Sequence, residues 1–257
     1  MQNPMALNGR TIIITGGGAG IGLAIGKLAI ELGGNVVAVD LNTEALNSAA
    51  AELGDKYLPI AGDITDPNFV AAVVEQGASK FGAINGLVNN AGIVRAAMIE
   101  KMSLVQWQQV IDVHLNGSFY FTQALGRHWL EKIRAGEKVP AAIVNISSDA
   151  GRRGTIGQVN YASAKSALFG LTMSAAREWG KYGIRANAVC FGTVETQMTE
   201  KIRTDEKLAE TYLQQVPLGR WSTPEEVAVP VCFLLGDGAS YITGQVLSVN
   251  GGYTITM

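Results

Sequence analysis

Short apolar, β-branched runs alternate with longer stretches of helical period along this chain. The runs cover Thr11–Thr15, Asn35–Asp40, Tyr57–Ala61, Gly86–Asn89, Ala141–Ser147, Ile184–Cys190 and Gln245–Val249. Helix-period segments lie between them, near 20–33, 43–53, 67–81, 103–134, 160–181 and 224–236. Runs bounded by turn residues and separated by helices argue for βαβ units and a parallel sheet covered on both faces. Right-handed crossovers then wind the chain to both sides of that sheet. The expected fold is α/β: a Rossmann-type, doubly wound, seven-stranded parallel sheet with helices on both faces. Ser103 and Thr223-Pro224-Glu225-Glu226 add helix-start signals. No repeat, low-complexity tract or linker interrupts the alternation, so residues 1–257 are read as a single domain.

Composition narrows the class of protein. Of 257 residues, 47% are hydrophobic and 16% charged, which supplies a large core and carries no signature of disorder. The formal net charge is −2 and no basic run or basic helix occurs, so neither a nucleic acid nor an anionic membrane is expected as a partner. No apolar run reaches the roughly 18 residues that span a bilayer, and the first ten residues lack a charged-then-apolar signal pattern. A cytoplasmic location is the expectation. The two cysteines, Cys190 and Cys232, are too few for a disulfide framework and lack metal-site spacing. No metal is expected, and both read as buried, reduced thiols.

The first strand runs into Thr15-Gly16-Gly17-Gly18-Ala19-Gly20-Ile21-Gly22, and a helical pattern follows at once. Glycines Gly16, Gly18, Gly20 and Gly22, with Ile21, would let the backbone turn sharply and approach a pyrophosphate closely. The helix N-terminus then offers free N–H groups and partial positive charge. The second strand ends in Asp40, followed by Leu41, roughly 20 residues beyond the glycines. A carboxylate there can bind the hydroxyls of an adenosine ribose and would repel the extra phosphate of NADP. No Arg or Lys occupies positions 17–19 or 41–42 to offset it. The expected cofactor is NAD; a strand-end turn residue is the plainer alternative for Asp40.

Hydride transfer to a carbonyl carbon leaves an alkoxide unless a proton also moves, so a positioned acid/base is required. Tyr161 and Lys165 stand four residues apart on a helical pattern and share one face. An ammonium about 5 Å from a phenol, at an effective dielectric near 20, contributes about 3 kcal/mol. That would lower the phenol pKa by about two units from its usual value near 10. Ser148, at the end of the fifth strand, can donate a hydrogen bond to a substrate oxygen. An ordinary amphipathic helix with a solvated lysine is the alternative on spacing alone.

These features, with Asp63 after the third strand, Asn89-Asn90-Ala91-Gly92 after the fourth, Gly192-x-x-x-Thr196, Pro217-Leu218-Gly219-Arg220, Tyr241-Ile-Thr-Gly-Gln245 and Asn250-Gly251-Gly252, occur in a specific order and spacing. In that set the chain resembles the short-chain dehydrogenase/reductase family over nearly its whole length. The resemblance is to the single-domain branch that contains the 3-oxoacyl-carrier-protein reductases and many secondary-alcohol dehydrogenases. It implies that Ser148 orients substrate, Tyr161 transfers the proton, and Lys165 holds the nicotinamide ribose and tunes Tyr161. The family distance to the tyrosine favours Ser148 over its neighbour Ser147. Asp63 and Ile64 would border the adenine, Asn89, Ala91 and Gly92 would lie along the adenosine ribose, and Gly192, Val194 and Thr196 would meet the carboxamide and pyrophosphate. Helix capping for Asp63 and Thr196, and core packing for Val194, are the alternatives. The resemblance also implies a homotetramer.

Two positions depart from the family pattern. In His114-Leu115-Asn116-Gly117-Ser118-Phe119, His114 takes the place of the usual Asn, which is tied to a water linking the lysine to solvent. His114 could join that relay as a group titrating near neutral pH, or be a buried, hydrogen-bonded helix histidine. Phe191 replaces the usual Pro before Gly192; it could pack on the cofactor, shape the substrate pocket or belong to the core.

Residues 197–216 read as a substrate lid, and Val94, Arg95, Asp149, Ala150, Gln158 and the surroundings of Met198 as pocket candidates. Arg95, Arg152 and Arg153 could bind an anionic substrate or simply face water. With Asp40 arguing for NAD, the expected activity is NAD(H)-dependent interconversion of a secondary alcohol and its ketone. Reduction of a 3-oxoacyl thioester, on acyl-carrier protein or CoA, is the alternative. A non-catalytic NAD-binding protein is the third reading, though such a protein would be expected to lose Tyr161 or Lys165.

Overall fold

The structure, a computed structural model, describes residues 3–255. Seven strands form one sheet, every pair parallel. In chain order they are β1 (Thr11–Thr15), β2 (Asn35–Asp40), β3 (Tyr57–Ala61), β4 (Gly86–Asn89), β5 (Ala141–Ser148), β6 (Ile184–Phe191) and β7 (Val246–Val249). Their order across the sheet is β3-β2-β1-β4-β5-β6-β7. The order reverses between β1 and β4, which opens a crevice at the carboxyl ends of those strands. The helices are α1 (Gly20–Glu31), α2 (Thr43–Leu53), α3 (Pro67–Phe81), α4 (Leu104–Ile111), α5 (Gly117–Arg134), α6 (Asp149–Arg153), α7 (Val159–Trp179), α8 (Glu200–Thr204), α9 (Glu206–Leu213) and α10 (Pro224–Leu235).

Alternate residues of each strand feed two separate cores. Ile12, Ile14, Val36, Ala38, Val144 and Val189 pack under α1 and α10, with Ala24, Ile25, Val227 and Val231. Ile13, Val37, Val39, Leu87, Ile143 and Ala186 pack on the opposite face, with Val70, Val73, Phe121, Leu125 and Trp129. This is why the strands read as continuous apolar runs: both of their faces are dry. The Trp129 indole N–H donates to the Ile84 carbonyl at 2.7 Å, satisfying the one polar atom this large side chain brings inside.

Observed boundaries refine the sequence reading in three places. β5 and β6 each extend one residue further, to Ser148 and Phe191, while β7 starts one residue later. The helix-period segment 103–134 is α4 and α5 joined through a π-helical turn over Asp112–Asn116. The short α6 was not anticipated; Ser148 caps it, its hydroxyl accepting from the Ala150 N–H at 3.2 Å. Among the described residues no helix is long and apolar enough to cross a membrane. Cys190 and Cys232 are both free and buried.

Candidate active site

The glycine turn is built from close backbone packing. Gly16 and Gly20 have positive φ, +65° and +52°, a conformation that other residues adopt only under strain. A Cβ on Gly22 would lie 2.0 Å from the Gly16 carbonyl oxygen, and one on Gly17 would lie 2.8 Å from the Ala38 Cβ. The turn is also pinned from outside. Asn90 donates through Nδ2 to the Thr15 and Gly16 carbonyls at 2.9 and 3.2 Å, and the Tyr57 hydroxyl donates to the Gly17 carbonyl at 3.1 Å. Thr15 Oγ1 accepts from the N–H groups of Asn90 and Ala91, both at 3.0 Å. α1 then starts with no side-chain cap and no acidic residue in its first turn. Its first N–H groups are therefore available to an anion. Thr196 stands over Gly20, its Cγ2 3.6 Å from where a Cβ would be. Asp40 reaches the turn, Oδ2 accepting from the Gly18 N–H at 3.1 Å, and Leu41 beside it is exposed. The cradle fits a dinucleotide pyrophosphate with a carboxylate on its adenosine side.

Ser148, Tyr161 and Lys165 converge at the carboxyl ends of β5 and β6. Lys165 is buried; its ammonium donates to the Ile146 carbonyl at 2.6 Å and stands 5.6 Å from the centre of the Tyr161 ring. Burial pushes its pKa down to about 7, opposed by the Cys190 thiol. Ser147 is fully used by the backbone of α7, its hydroxyl donating to the Lys165 carbonyl at 2.8 Å. That leaves Ser148 to face the cleft with Tyr161. The electrostatic expectation for Tyr161 needs correction. Burial raises its pKa above the usual value and a hydrogen bond from Ser148 draws it back, with desolvation the larger of the two.

His114 sits in the π-helical turn and is buried. Its Nε2 lies 2.9 Å from the Ile93 nitrogen and 2.8 Å from the Ile93 oxygen, and its ring meets Tyr161 edge-on at 5.1 Å between centres. Burial, then the Lys165 charge, hold its pKa down at about 3, with the Ile93 backbone opposing. Burial thus favours the neutral imidazole, which fits the buried, hydrogen-bonded alternative of the sequence reading better than the titrating one. The histidine instead braces the 90–93 loop against Tyr161. Gly92 makes room for it: a Cβ there would fall 2.3 Å from His114 Cε1.

A family model described as enoyl-(acyl carrier protein) reductase matches residues 16–254. A 3-oxoacyl-[acyl-carrier-protein] reductase of Thermotoga maritima is 42% identical over 254 residues, covering 98% of this chain and 100% of that protein. The chain belongs to the short-chain dehydrogenase/reductase family. An acetoacetyl-CoA reductase of Synechocystis is 38% identical, over 97% of this chain and 98% of its own. Among solved structures, a protein described as a putative NAD(P)-dependent gluconate 5-dehydrogenase from Beutenbergia cavernae, with NADP bound at low occupancy, superposes with a TM-score of 0.89. It is 35% identical and covers 98% of this chain and 99% of that one. Like its relatives, this chain is an oxidoreductase acting on CH–OH and keto groups.

Within this short-chain dehydrogenase/reductase a cleft of about 840 Å³ opens beside Ser148 and Tyr161. Of the pocket candidates read from the sequence, Val94, Asp149, Ala150, Gln158 and Met198 line it and Arg95 does not; Phe191 lines it as well. Phe191 does two jobs, since it is also part of a buried core. The 197–216 segment flanks the cleft through Met198, Tyr212 and Gln215, and neither α8 nor α9 contains a buried residue.

Several residues expected at the cofactor also make structural contacts within the fold. The Asn89 side chain is buried and donates to Asn145 Oδ1 at 2.8 Å, tying β4 to β5; Asn145 passes the chain on to Thr172 of α7 at 2.8 Å. Asp63 folds back onto Thr65, accepting from its N–H and hydroxyl at 2.9 and 2.8 Å, while the cap of α3 is Asp66. Ile64 is buried against Gly117. Val194 is buried beside Ser222, and Thr196 caps the turn at Gln197–Thr199. Gly192 packs against Asn250. Asn90, passed over in favour of its neighbours, is the residue that holds the glycine turn. Its signal was present in Asn89-Asn90-Ala91-Gly92, but which asparagine points where depends on the pleat of β4.

Proposed function

We propose that this enzyme is an NAD(H)-dependent reductase of 3-oxoacyl thioesters, converting the 3-keto group to a secondary alcohol. The observation that carries the reading is that Ser148 and Tyr161 line a cleft of about 840 Å³, with Lys165 buried behind Tyr161 and 5.6 Å from the centre of its ring. Two relatives whose names state this reaction on carrier-protein or CoA substrates support it. The glycine cradle and the uncapped start of α1 would hold the pyrophosphate, and Asp40 the adenosine ribose.

When bound, the nicotinamide supplies or accepts the hydride. The chain's residues manage the proton and the charge. Ser148 donates a hydrogen bond to the substrate carbonyl oxygen and polarises it. The Tyr161 hydroxyl gives its proton to that oxygen as the carbonyl carbon is reduced, so a CH–OH group results. A raised phenol pKa keeps this acid protonated until the oxygen becomes basic enough to take the proton. Lys165, fixed by the Ile146 carbonyl, offsets the phenolate that is left.

Asp40 argues for NADH: its carboxylate already lies at the Gly18 N–H, where a second phosphate would meet like charge. The same carboxylate favours a second reading, an NAD-dependent dehydrogenase of a small secondary alcohol. The gluconate 5-dehydrogenase description of the structural neighbour is consistent with that. A non-catalytic NAD-binding role is the weakest reading, because the whole acid/base set is present. The family resemblance leads us to expect a homotetramer acting in the cytoplasm. Absorbance at 340 nm with acetoacetyl-CoA, and with a panel of secondary alcohols, using NAD(H) and NADP(H) in parallel, tests the proposal. Turnover of alcohols with none of the thioester would replace the first reading by the second.

A further inference from the structure

Of the three arginines near the cleft, only one faces it. Arg95 turns onto Gln109 Oε1 at 3.0 Å and its neighbour's carbonyl, and Arg152 reaches the Val246 carbonyl at 2.8 Å. Arg153 lines the cleft. Its guanidinium lies 4.3 Å from the centre of the Tyr253 ring, with Gln215 Oε1 3.4 Å from Nη2. Tyr253 in turn stacks on Tyr212, ring centres 6.3 Å apart and 18° from parallel. Three segments distant in sequence thus meet at one wall: the end of α6, the C-terminal stretch and α9. Asn250 fastens the C-terminal stretch by donating to Asp149 Oδ1 at 2.9 Å.

Asp149 is the one acid lining the cleft; Asn250 holds its Oδ1, and burial raises its pKa while Asn250, Thr254 and the charges of Arg153 and Arg152 draw it back. Among the described residues no ion pair engages Arg153. A guanidinium held against an aromatic ring, with one N–H on Gln215, still has N–H donors for a planar or phosphate anion. Stacking on Tyr253 holds those donors in one place and lowers the entropy lost when an anion is captured.

We propose that Arg153 is the substrate-recognition cation of this cleft, taking an acidic group, phosphate or carboxylate, carried by the substrate, with the Tyr253–Tyr212 stack holding it in position. The proposal rests on the reductase reading and narrows it to acidic substrates. The acid can come from the phosphates of CoA or a carrier-protein arm, or from a carboxylate on the substrate itself.

The test compares kcat/KM of the full-length protein with NADH on three substrates sharing one keto group: acetoacetyl-CoA, the neutral N-acetylcysteamine thioester of acetoacetate, and free acetoacetate. Arg153→Gln removes the charge, and Arg153→Lys restores it without the planar fork. Arg153→Gln should lower kcat/KM for an acidic substrate about tenfold or more beyond its effect on the neutral thioester, mainly through KM. Arg153→Lys should recover part of that loss, and added NaCl should shrink the wild-type preference for the acidic substrate. Loss confined to acetoacetyl-CoA assigns the phosphates, and loss confined to acetoacetate assigns a carboxylate. Equal losses on neutral and acidic substrates would make Arg153 a prop for Tyr253 and overturn the proposal. If the wild type reduces none of the three, the reductase reading fails, and calorimetric titration of the NADH-loaded protein with pyrophosphate and with acetoacetate decides the recognition separately. Binding that Arg153→Gln abolishes supports it; equal behaviour of wild type and variant overturns it.

Discussion

The glycine turn touches Thr196, the residue before the 197–216 segment, yet turn and segment are held in contrasting ways. The turn has almost no side chains of its own and is fixed by backbone packed at closest approach, with Asn90, Thr15 and Tyr57 bonded to it. The 197–216 segment has ample side chains and buries none of those on α8 or α9; its aromatic anchor is the stack of Tyr212 on Tyr253. Rigid backbone suits a ligand that never changes, such as a dinucleotide. Loosely held helices suit a wall that must admit and enclose different substrates. Tyr161 lines the cleft that the 197–216 segment flanks.

The largest effect is expected there. Tyr161→Phe should cut kcat by about 10³-fold, within the range for losing a general acid, while NADH binding measured by fluorescence is retained. Lost NADH binding would mean that the phenol belongs to the cofactor side of the comparison. Next comes Lys165, whose folded-state pKa of about 7 lies below the usual 10.5. Between those values the unfolded chain binds more protons than the folded one, so stability should rise with pH across that window. Below about 7 the full cost of the buried ammonium is felt. The slope should approach, and not exceed, about 1.4 kcal/mol per pH unit. Urea midpoints from pH 6.5 to 9.5 should show it in the wild type, and Lys165→Met should flatten it.

Gly22→Ala sharpens the rigid side. In an exposed helix this change gains up to about 1 kcal/mol; here the new Cβ would sit 2.0 Å from the Gly16 carbonyl oxygen. A destabilisation of about 1–3 kcal/mol, read from urea unfolding, is expected, together with weakened NADH binding. A neutral result would show that the turn yields like the lid. Asp40→Ala, on the same side, should move the NADH-to-NADPH ratio of kcat/KM about tenfold toward NADPH, the worth of one charge-assisted hydrogen bond. An unshifted ratio would reduce Asp40 to a turn residue.

What the sequence made legible divides along the same line. Apolar runs of matched length, a glycine turn between strand and helix, and Tyr161 with Lys165 one helical turn apart are local patterns, and the seven-stranded parallel sheet, the turn and the candidate acid/base pair were read from them. The features missed depend on long-range packing. Which of Asn89 and Asn90 holds the glycine turn follows from the pleat of β4 against β1 and β5. The π-helical turn that carries His114 has no local sign, and the preference for a neutral imidazole follows from burial beside Lys165. Tyr212 and Tyr253 are 41 positions apart in sequence, so no periodicity could pair them.

The smallest effect tests the loose side most directly. Asp205 caps α9, one carboxylate oxygen accepting from the N–H groups of Lys207 and Leu208, each at 3.1 Å. Losing such a cap costs a helix about 1 kcal/mol. If α9 opens on its own, Asp205→Ala should move the global urea midpoint by less than the equivalent of about 0.5 kcal/mol. The loss should appear locally, as faster hydrogen exchange at α9 amides and quicker proteolysis within 200–216. KM should rise with kcat little altered, because the lid would still close but at greater cost. A shift of the global midpoint by the whole capping energy would instead join α9 to the cooperative core. The contrast between a fixed cofactor side and an adaptable substrate side would then lose its basis.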